Sequence, residues 1–293
     1  MDVADLVRAR RVKLYANLAG VEVGDGFPIR IVGALNVSPE SFYGASVARG
    51  RRGVQKLAVR MVEEGADSID IGAMSTAPYL KGAISADEEA RRMRAAVRAV
   101  RAVVDVPISA DTQRSRVAAV ALQAGASIIN DVSGLAHDPA MGEVARDAGG
   151  VILMASEVGP STQEPMALIA ALLRQCLRRA RTAHIPATRI VLDPGIGFYR
   201  RATVPWYELD CLVLRELGRL RRLGRPLLVG ISRKSFIGKL TGRSDPDERL
   251  YGSLAASALA VYNGAALIRT HDVAATRDVI RVANAIKSKK RDE

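Results

Sequence analysis

The sequence predicts an α/β fold, an eight-stranded parallel (β/α)8 TIM barrel. Eight short segments rich in β-branched residues alternate with stretches that show the apolar periodicity of amphipathic helices, such as residues 86–103 and 168–183. Eight strands that alternate with helices form a closed parallel barrel more readily than an open sheet. The length of 293 residues fits one barrel of about 250 residues with additions at its ends.

The predicted strands are spaced so that most intervals have room for a helix. In chain order they cover residues 29–35, 68–71, 107–110, 127–130, 151–154, 189–192, 226–229 and 266–269. Gly65, Gly125 and Gly264 each follow a predicted helix, where a left-handed glycine can stop the helix before the next strand. We predict one domain over residues 1–293. Residues 1–28 would cap the bottom of the barrel as an amphipathic helix or strand pair, and residues 287–293 would form a charged, frayed tail.

The composition argues against several classes of protein. With 48% hydrophobic and 25% charged residues, the chain can bury a large core and does not have the composition of a disordered protein. No apolar run reaches the roughly 18–20 residues of a membrane span, and no signal peptide begins the chain. Cys176 and Cys211 lack the spacing of metal ligands. We expect reduced structural thiols in a cytoplasmic protein that has no membrane partner.

The chain is strongly basic, with a formal net charge of +12 and a sequence pI of about 10.1. Its basic residues, most of them arginines, are distributed over the faces of predicted helices without interleaved aromatic residues. A protein that binds single-stranded nucleic acid would combine such charges with aromatic stacking platforms. We therefore expect no nucleic-acid partner. The charge instead suits substrates that carry phosphates or carboxylates.

Polar side chains stand at the carboxyl ends of seven of the eight predicted strands. In strand order these residues are Asn36, Asp70, Asp111, Asn130, Asp193, the run 232–234 and the run 269–272. Ligands of α/β barrels bind at this end of the strands. Groups that are costly to desolvate would not collect there for stability alone. The sequence therefore predicts a ligand site at this rim.

The residue types at the rim fit two kinds of ligand group. Two carboxylates, an amide and an ammonium group suit a planar heterocycle that has adjacent N–H donors and a carbonyl, as a pterin has; they belong to Asp111, Asn130, Asp193 and Lys234. Arg269 and His271 have the i, i+2 spacing that places both side chains on one face of a strand. They suit pyrophosphate rather than the ring, and the amide oxygen of Asn36 suits Mg²⁺.

The strand-end motifs resemble, in order, those of dihydropteroate synthases. They occupy residues 36–42, 70–72, 111–112, 129–134, 193–198, 232–236 and 269–272. The resemblance covers about residues 31 to 273 and implies a single pterin-binding domain. It implies a transferase of folate biosynthesis that joins 6-hydroxymethyl-7,8-dihydropterin pyrophosphate to para-aminobenzoate or a related arylamine and releases pyrophosphate. It further implies Mg²⁺ as cofactor, a homodimer and a cytoplasmic location.

The resemblance also implies a role for individual residues. The pterin would be held by Asp111, Asn130, Met154, Asp193 and Lys234. The pyrophosphate would be held by Asn36, Arg269 and His271, with Asn36 as metal ligand. The arylamine would be bordered by Thr76, Phe198, Ser232 and Arg233. Catalysis would depend on Asp111, Lys234, Arg269 and His271.

The chain departs from the family pattern on the side of the second substrate. Met74 and Ala77 stand where the family usually has Glu and Arg, and Ala155 stands in place of the usual His after Met154. The loop after the first strand also lacks the family's Asp. We therefore expect an arylamine that is bulkier than para-aminobenzoate or carries its own anion. Lys81 is the nearest basic candidate to replace the missing Arg, and Arg49, Arg51 and Arg52 after the first strand are others.

Two alternative functions share the pterin-binding residues. A pterin-dependent methyltransferase that acts with a corrinoid protein would use the carboxylates and the amide but would need no pyrophosphate site. A pterin-binding protein without catalytic activity would account for the altered second loop. Arg269, His271 and the run 232–234 argue against the methyltransferase.

Overall fold

The structure, a computed structural model, describes residues 13–38, 50–74, 84–156, 163–199 and 204–288. An antiparallel hairpin consists of β1 (Tyr15–Leu18) and β2 (Val21–Gly24). The parallel strands in the described ranges are β3 (Arg30–Asn36), β4 (Ser68–Gly72), β5 (Ile108–Asp111), β6 (Ile128–Asp131), β7 (Gly150–Met154), β8 (Ile190–Asp193), β9 (Leu228–Gly230) and β10 (Leu267–Thr270). The α-helices in the same ranges are α1 (Gly50–Glu63), α2 (Ala86–Arg101), α3 (Ser115–Ala124), α4 (Met141–Arg146), α5 (Pro165–Thr182), α6 (Trp206–Arg215), α7 (Ser235–Thr241), α8 (Leu250–Tyr262) and α9 (Val273–Ser288).

The eight parallel strands form one sheet in the order β8-β7-β6-β5-β4-β3-β10-β9. A parallel bridge between Leu192 and Leu227 brings its two edge strands together. The predicted barrel is confirmed. Observed strands lie within two residues of their predicted positions and mostly extend one residue further toward the rim. The reason is that rim residues remain in the hydrogen-bonded ladder, as Asp111 does opposite Gly72.

The interior of the barrel is apolar at one end and polar at the other. Ile128, Ile152 and Val191 are buried in one hydrophobic cluster with the hairpin, at the bottom of the barrel. Because side chains alternate between the two faces of a strand, the residue two positions later faces the same interior. For β6 and β8 that residue is Asn130 or Asp193. The period of two therefore places polar side chains above an apolar floor.

The hairpin closes the bottom of the barrel. Ala16, Leu18 and Val23 are buried against the lower ends of the strands. Residues 1–12, which belong to the segment expected to form a cap, lie outside the described residues. At the other terminus, α9 includes Lys287, whose Nζ donates to the Val261 carbonyl at 2.8 Å. The helix therefore continues two residues into the segment predicted as a frayed tail.

The helices cover the outer surface of the barrel with one apolar face each. In α5 the buried residues include Ile169, Leu173, Cys176 and Ala180, which recur at the spacing of three and four residues of an amphipathic helix. Glu164 caps this helix, since its carboxylate accepts hydrogen bonds from two backbone N–H groups of the first turn. Within the described ranges, no helix is both long and apolar enough to span a membrane.

Candidate active site

Strand register places the predicted rim residues in one layer. Asn36 pairs with Gly72, Gly72 pairs with Asp111, and Asp111 pairs with Asn130. A Cβ atom at Gly72 would lie 3.0 Å from the Asn36 Oδ1 atom, so the absence of a side chain there leaves room for the amide. Four neighbouring strands therefore place Asn36, Asp111 and Asn130 side by side along the rim, with space at Gly72 for the Asn36 amide.

Arg269 lies between two carboxylates of the barrel interior. Its Nε donates to Asp70 Oδ2 at 2.6 Å, and its Nη2 donates to Asp111 Oδ2 at 3.2 Å. Asn130 also donates to Asp70, at 3.2 Å. The Asp70 side chain is completely buried, and one oxygen of Asp70 and one of Asp111 are buried without a hydrogen-bond partner. The described protein supplies no hydrogen-bond donor to either of these acceptors.

Asp70 is a site residue that the sequence analysis placed in a motif but gave no role. The signal was present, because Asp70 stands inside an otherwise apolar strand and would be costly to bury without a partner. Glu89 on α2 was missed entirely. It is buried and binds the residues after Asp111, accepting from the Thr112 hydroxyl at 2.6 Å and from Arg114 Nη1 at 2.9 Å. A helix position gives no sequence signal for this contact.

The carboxyl groups of the pocket resist ionisation. Burial, together with the negative charge of Asp70, raises the pKa of Asp111 to about 7, although the neighbouring Arg269 opposes the shift. Burial likewise raises the pKa of Asp193, while the Lys234 ammonium group opposes that change. The pocket therefore holds a carboxyl group, Asp111, whose charge changes near neutral pH, and such shifted groups are typical of functional sites.

Asp193 and Lys234 come from neighbouring strand ends and border the same space. The Asp193 Oδ1 atom accepts from the Gly195 N–H at 2.8 Å, which leaves its other oxygen for a ligand. Lys234 donates to the Ile196 carbonyl, and its Nζ lies 5.0 Å from the centre of the Phe198 ring. A cation at this distance from an aromatic face is attracted by it. Phe198 therefore helps to position the ammonium group.

His271 is neutral and lies beside Asn36 rather than in an ion pair. Its Nε2 is 3.3 Å from Asn36 Nδ2, and its Nδ1 is 2.9 Å from Ser232 Oγ. Since the amide nitrogen of Asn36 donates, Nε2 accepts and Nδ1 carries the proton. Burial, together with the positive charges of Arg269 and Arg233, lowers the pKa of His271 to about 3. His271 and Arg269 therefore have different partners in the described structure.

Ser232 and Arg233, which the resemblance places beside the arylamine, make contacts within the protein in the described structure. Arg233 is buried, and its guanidinium forms two hydrogen bonds with the Asp272 carboxylate and two with backbone carbonyls near the start of α8. Ser232 Oγ bonds His271. Both side chains hold the loop after β9 against the loop after β10. A position beside the arylamine stays a prediction for both residues.

The loops that depart from the family pattern are described only in part. Thr76, Ala77 and Lys81 lie outside the described residues, as do residues 39–49, which include Arg49. Ala155 is described and buried, and its carbonyl accepts from the Tyr199 hydroxyl at 3.2 Å. The same hydroxyl reaches the Pro194 carbonyl at 2.9 Å. Tyr199 therefore joins the segment after Met154 to the segment after Asp193.

Gly195 provides a test of how tightly the turn after Asp193 is built. Its φ is +77°, and an added Cβ would collide with the carbonyl oxygen of Ala155. Gly195→Ala is expected to lower the free energy of unfolding by about 2–4 kcal/mol, because left-handed strain and overpacking add. Gly224→Ala is the matched control, since Gly224 has φ +75° with no atom within 4 Å of the added Cβ. Urea denaturation measures the free energy of unfolding of both variants. Equal losses in the two would show that the contact with the Ala155 carbonyl contributes nothing.

The described residues supply few ligands for a metal ion. Among them, no group of three or more His, Cys, Asp or Glu side chains could hold a metal ion. Mg²⁺ is commonly bound through one or two protein oxygens together with substrate phosphates and water. The amide oxygen of Asn36 would be one such protein ligand. The pocket is therefore compatible with a Mg²⁺ ion that enters with a phosphorylated substrate.

A family model described as "Pterin binding enzyme" matches residues 32–271. The match covers the parallel strands from Val32 to Thr270 and the described rim residues from Asn36 to His271. Barrel and family model together place the protein in the class of pterin-binding barrels.

Similar proteins define the family within this class. The chain is 38% identical over 265 residues to the dihydropteroate synthase of Synechocystis sp., covering 87% of this chain and 89% of that protein. A solved structure of Xanthomonas albilineans dihydropteroate synthase with 4-aminobenzoic acid has a TM-score of 0.83 and 35% identity, with 94% of this chain and 99% of that chain covered. A second structure from that organism, in complex with 7,8-dihydropteroate, has a TM-score of 0.79 and 34% identity, with 94% and 98% covered. The chain belongs to the dihydropteroate synthase family, and the resemblance of its motifs is confirmed.

Proposed function

We propose that this protein is a dihydropteroate synthase. It joins the methylene carbon of 6-hydroxymethyl-7,8-dihydropterin pyrophosphate to the amine of para-aminobenzoate or a related arylamine and releases pyrophosphate, a step of folate biosynthesis. The observation that carries the proposal is the group of two buried carboxylates around Arg269, with an unpartnered oxygen on each. The relative with bound 7,8-dihydropteroate contains both halves of the proposed product.

The pterin ring is proposed to lie among Asp111, Asn130, Asp193 and Lys234, packed on Met154. Carboxylates accept hydrogen bonds from the ring N–H and amino groups, while the ammonium of Lys234 donates to the ring carbonyl. Support comes from the strand register, which sets Asp111 beside Asn130 and Met154 beside Asp193. Asp70 holds Arg269 and Asn130 in place.

Pyrophosphate is proposed to lie nearer the β10 end of the pocket, with Asn36, His271 and Arg269. The Nε2 atom of His271 would donate to the anion after taking up a proton, and an approaching anion would raise the lowered pKa of His271. Bound Mg²⁺ would neutralise charge on the departing oxygens, and Asn36 would supply one ligand. Arg269 bonds both carboxylates in the described structure, so part of its hydrogen bonding would shift when the anion binds.

Catalysis in this scheme is electrostatic. As pyrophosphate departs, the methylene carbon next to the ring gains positive charge, and the carboxylates of Asp70 and Asp111 favour that charge. The amine of the second substrate then attacks the carbon and loses a proton to solvent. The low polarity around the buried carboxylates strengthens these interactions relative to water.

The raised pKa of Asp111 predicts pH-dependent binding. In the folded protein without ligand this carboxyl holds its proton up to about pH 7, against a usual value of 3.8. Its contribution to stability is therefore present at low pH and lost as the pH rises through about 7. The affinity for a phosphate-free pterin should instead rise with pH, because the N–H groups of the ring need the ionised carboxylate of Asp111 as their acceptor.

We expect the affinity for 6-hydroxymethylpterin to rise about tenfold between pH 6 and pH 8, as the ionised fraction of Asp111 rises. Isothermal titration calorimetry measures this change. The Asp111→Asn variant is the control, and its weaker affinity should lose this part of the pH dependence. A slope that persists unchanged in Asp111→Asn would assign the titration to another group, such as Asp193.

An activity assay separates the proposed function from its alternatives. With 6-hydroxymethyl-7,8-dihydropterin pyrophosphate and para-aminobenzoate, we expect pyrophosphate and dihydropteroate to form in equal amounts, and only when both substrates are present. Tight pterin binding without turnover would indicate a non-catalytic pterin-binding protein. Transfer of a methyl group from a methylated pterin to a corrinoid protein, without pyrophosphate release, would indicate the methyltransferase.

The identity of the arylamine is a separate proposal, because the loop after the second parallel strand departs from the family pattern. We infer that Lys81, or one of the basic residues Arg51 and Arg52 at the start of α1, contacts an arylamine with an additional anion. Competition between para-aminobenzoate and phosphorylated arylamines in the same assay measures the preference. Efficient use of para-aminobenzoate that is unaffected by Lys81→Ala would contradict the proposal.

A homodimer is proposed on the face formed by α8 and α9. Large apolar side chains are exposed there, with Tyr251 at 83%, Leu259 at 59% and Ile286 at 61% of their maximal exposure. Exposed apolar patches on adjacent elements commonly mark interfaces, and a symmetric dimer uses the same patch twice. Light scattering should give twice the chain mass, and Leu259→Lys should give a monomer.

A cytoplasmic location is also proposed, supported by Cys176 and Cys211, which form no disulfide.

A further inference from the structure

A basic cleft lies at the end of the barrel opposite the candidate active site. It is located between the C-terminal end of α5 and the segment that precedes β9, where the strands begin, and has a volume of about 530 Å³. Its basic lining residues are Arg178, Arg181, His184 and Arg225. Among the described residues, no carboxylate lines the cleft and none of the four forms an ion pair. A site that binds an anion would have this charge distribution.

Arg225 distinguishes this cleft from other arginine-rich surfaces of the protein. Its Nη1 donates to the Gly224 carbonyl at 2.7 Å, while its Nε is buried without a hydrogen-bond partner. Burial lowers the pKa of Arg225, and no neighbouring negative charge opposes the change. By contrast, Arg221 and Arg233 are ion-paired with Asp25 and Asp272. A partly buried guanidinium without a carboxylate is stabilised when an anion binds beside it.

The floor of the cleft is apolar. Leu177, Ile185 and Ile190 line it beneath the basic residues, and Ile185 and Ile190 are largely buried. A bare inorganic ion would make no use of this apolar surface, of which Leu177 is the more exposed part. A ligand with an aromatic or aliphatic part would cover it while its anionic part meets the guanidinium groups. The volume lies within the range of about 300–1,000 Å³ that is usual for small-molecule pockets.

We propose that this cleft binds a phosphorylated small organic molecule, with the phosphate at Arg178, Arg181 and Arg225 and the organic part on the apolar floor. A nucleoside monophosphate has this chemistry. The site is separate from the pterin pocket and does not depend on the function proposed for it.

Calorimetric titration of the full chain with AMP, adenosine and inorganic phosphate tests the proposal. We expect AMP to bind at least about tenfold more tightly than either fragment, because each fragment lacks one half of the interaction. Arg225→Gln should weaken AMP binding by about 10–100-fold, the usual effect of losing a charged hydrogen bond. Arg225→Lys should keep part of the affinity, and melting temperatures confirm that both variants are folded.

Two control variants decide where AMP binds. Arg94→Gln removes the same charge from an exposed position on α2, and its affinity for AMP should change less than about twofold, as expected for a distant surface charge. Lys234→Gln alters the pterin pocket and should also leave AMP binding unchanged. The proposal is overturned if Arg94→Gln weakens binding as much as Arg225→Gln, if Lys234→Gln abolishes it, if phosphate alone binds as tightly as AMP, or if AMP does not bind at millimolar concentration.

Discussion

Replacing Arg269 by glutamine is expected to impair both folding and catalysis, because two buried carboxylates lose their shared cation. At pH 8 the free energy of unfolding should fall by about 3 kcal/mol, the cost of breaking a buried ion pair. At pH 5.5 the loss should be smaller, since Asp111, with its pKa raised to about 7, can take up a proton. Turnover should fall by about 10²–10³-fold, as when a donor to developing charge is removed. Urea denaturation and pyrophosphate release measure the two effects.

A double variant separates these effects of Arg269. Asp70→Asn combined with Arg269→Gln removes a negative and a positive charge together, so stability should recover in part while turnover stays low. Arg30→Gln is the matched control. Arg30 pairs with Asp67 at 3.0 Å, but both side chains are about one-quarter exposed, so the loss should stay below about 1 kcal/mol. Normal turnover in the Arg269→Gln variant would show that Arg269 is only structural.

The contacts of Arg269 also change an expectation drawn from the sequence. An arginine that acted on pyrophosphate alone could be removed without weakening the binding of a phosphate-free pterin. In the structure Arg269 contacts Asp70 and Asp111, which border the proposed ring site. We therefore expect the affinity for 6-hydroxymethylpterin to fall together with turnover. An unchanged affinity for 6-hydroxymethylpterin would show that Arg269 acts on the pyrophosphate and does not support the ring site.

Asp193→Asn is expected to weaken pterin binding by about 2–4 kcal/mol, because an acceptor becomes a donor that faces the N–H groups of the ring. The fold should be preserved, since the amide oxygen of asparagine can still accept from the Gly195 N–H, as Asp193 does at 2.8 Å. Calorimetry with 6-hydroxymethylpterin measures the loss, and thermal unfolding confirms the fold.

A second aspartate provides the control for Asp193. Asp138 also accepts backbone N–H groups in a loop, from Ser115 at 2.8 Å and Ala140 at 3.0 Å. Asp138 lies in the loop between β6 and α4, and its carboxylate bonds none of the residues proposed to hold the ring. Asp138→Asn should therefore leave the pterin affinity unchanged. If Asp193→Asn bound pterin as tightly as the native protein, the ring would have to lie elsewhere in the barrel.

The sequence by itself determined the barrel, the approximate strand bounds, the polar rim and the family. These features depend on local patterns, namely the periodicity of strands and helices and the polar residues that end each strand. The parallel register then brings residues such as Asp111 and Asn130 together without further information. Short motifs in a fixed order were therefore sufficient to identify the family.

Only the tertiary structure decided which side chains meet. Arg269 bonds Asp70 across 199 positions of the chain, Arg233 turns inward to Asp272, and the basic cleft joins α5 to the segment before β9. The direction of a side chain at a strand end depends on its neighbours across the barrel, and the same Arg can face a ligand, a carboxylate or solvent. Burial, which the chain acquires only by closing the barrel, then sets the charge state of the groups that meet.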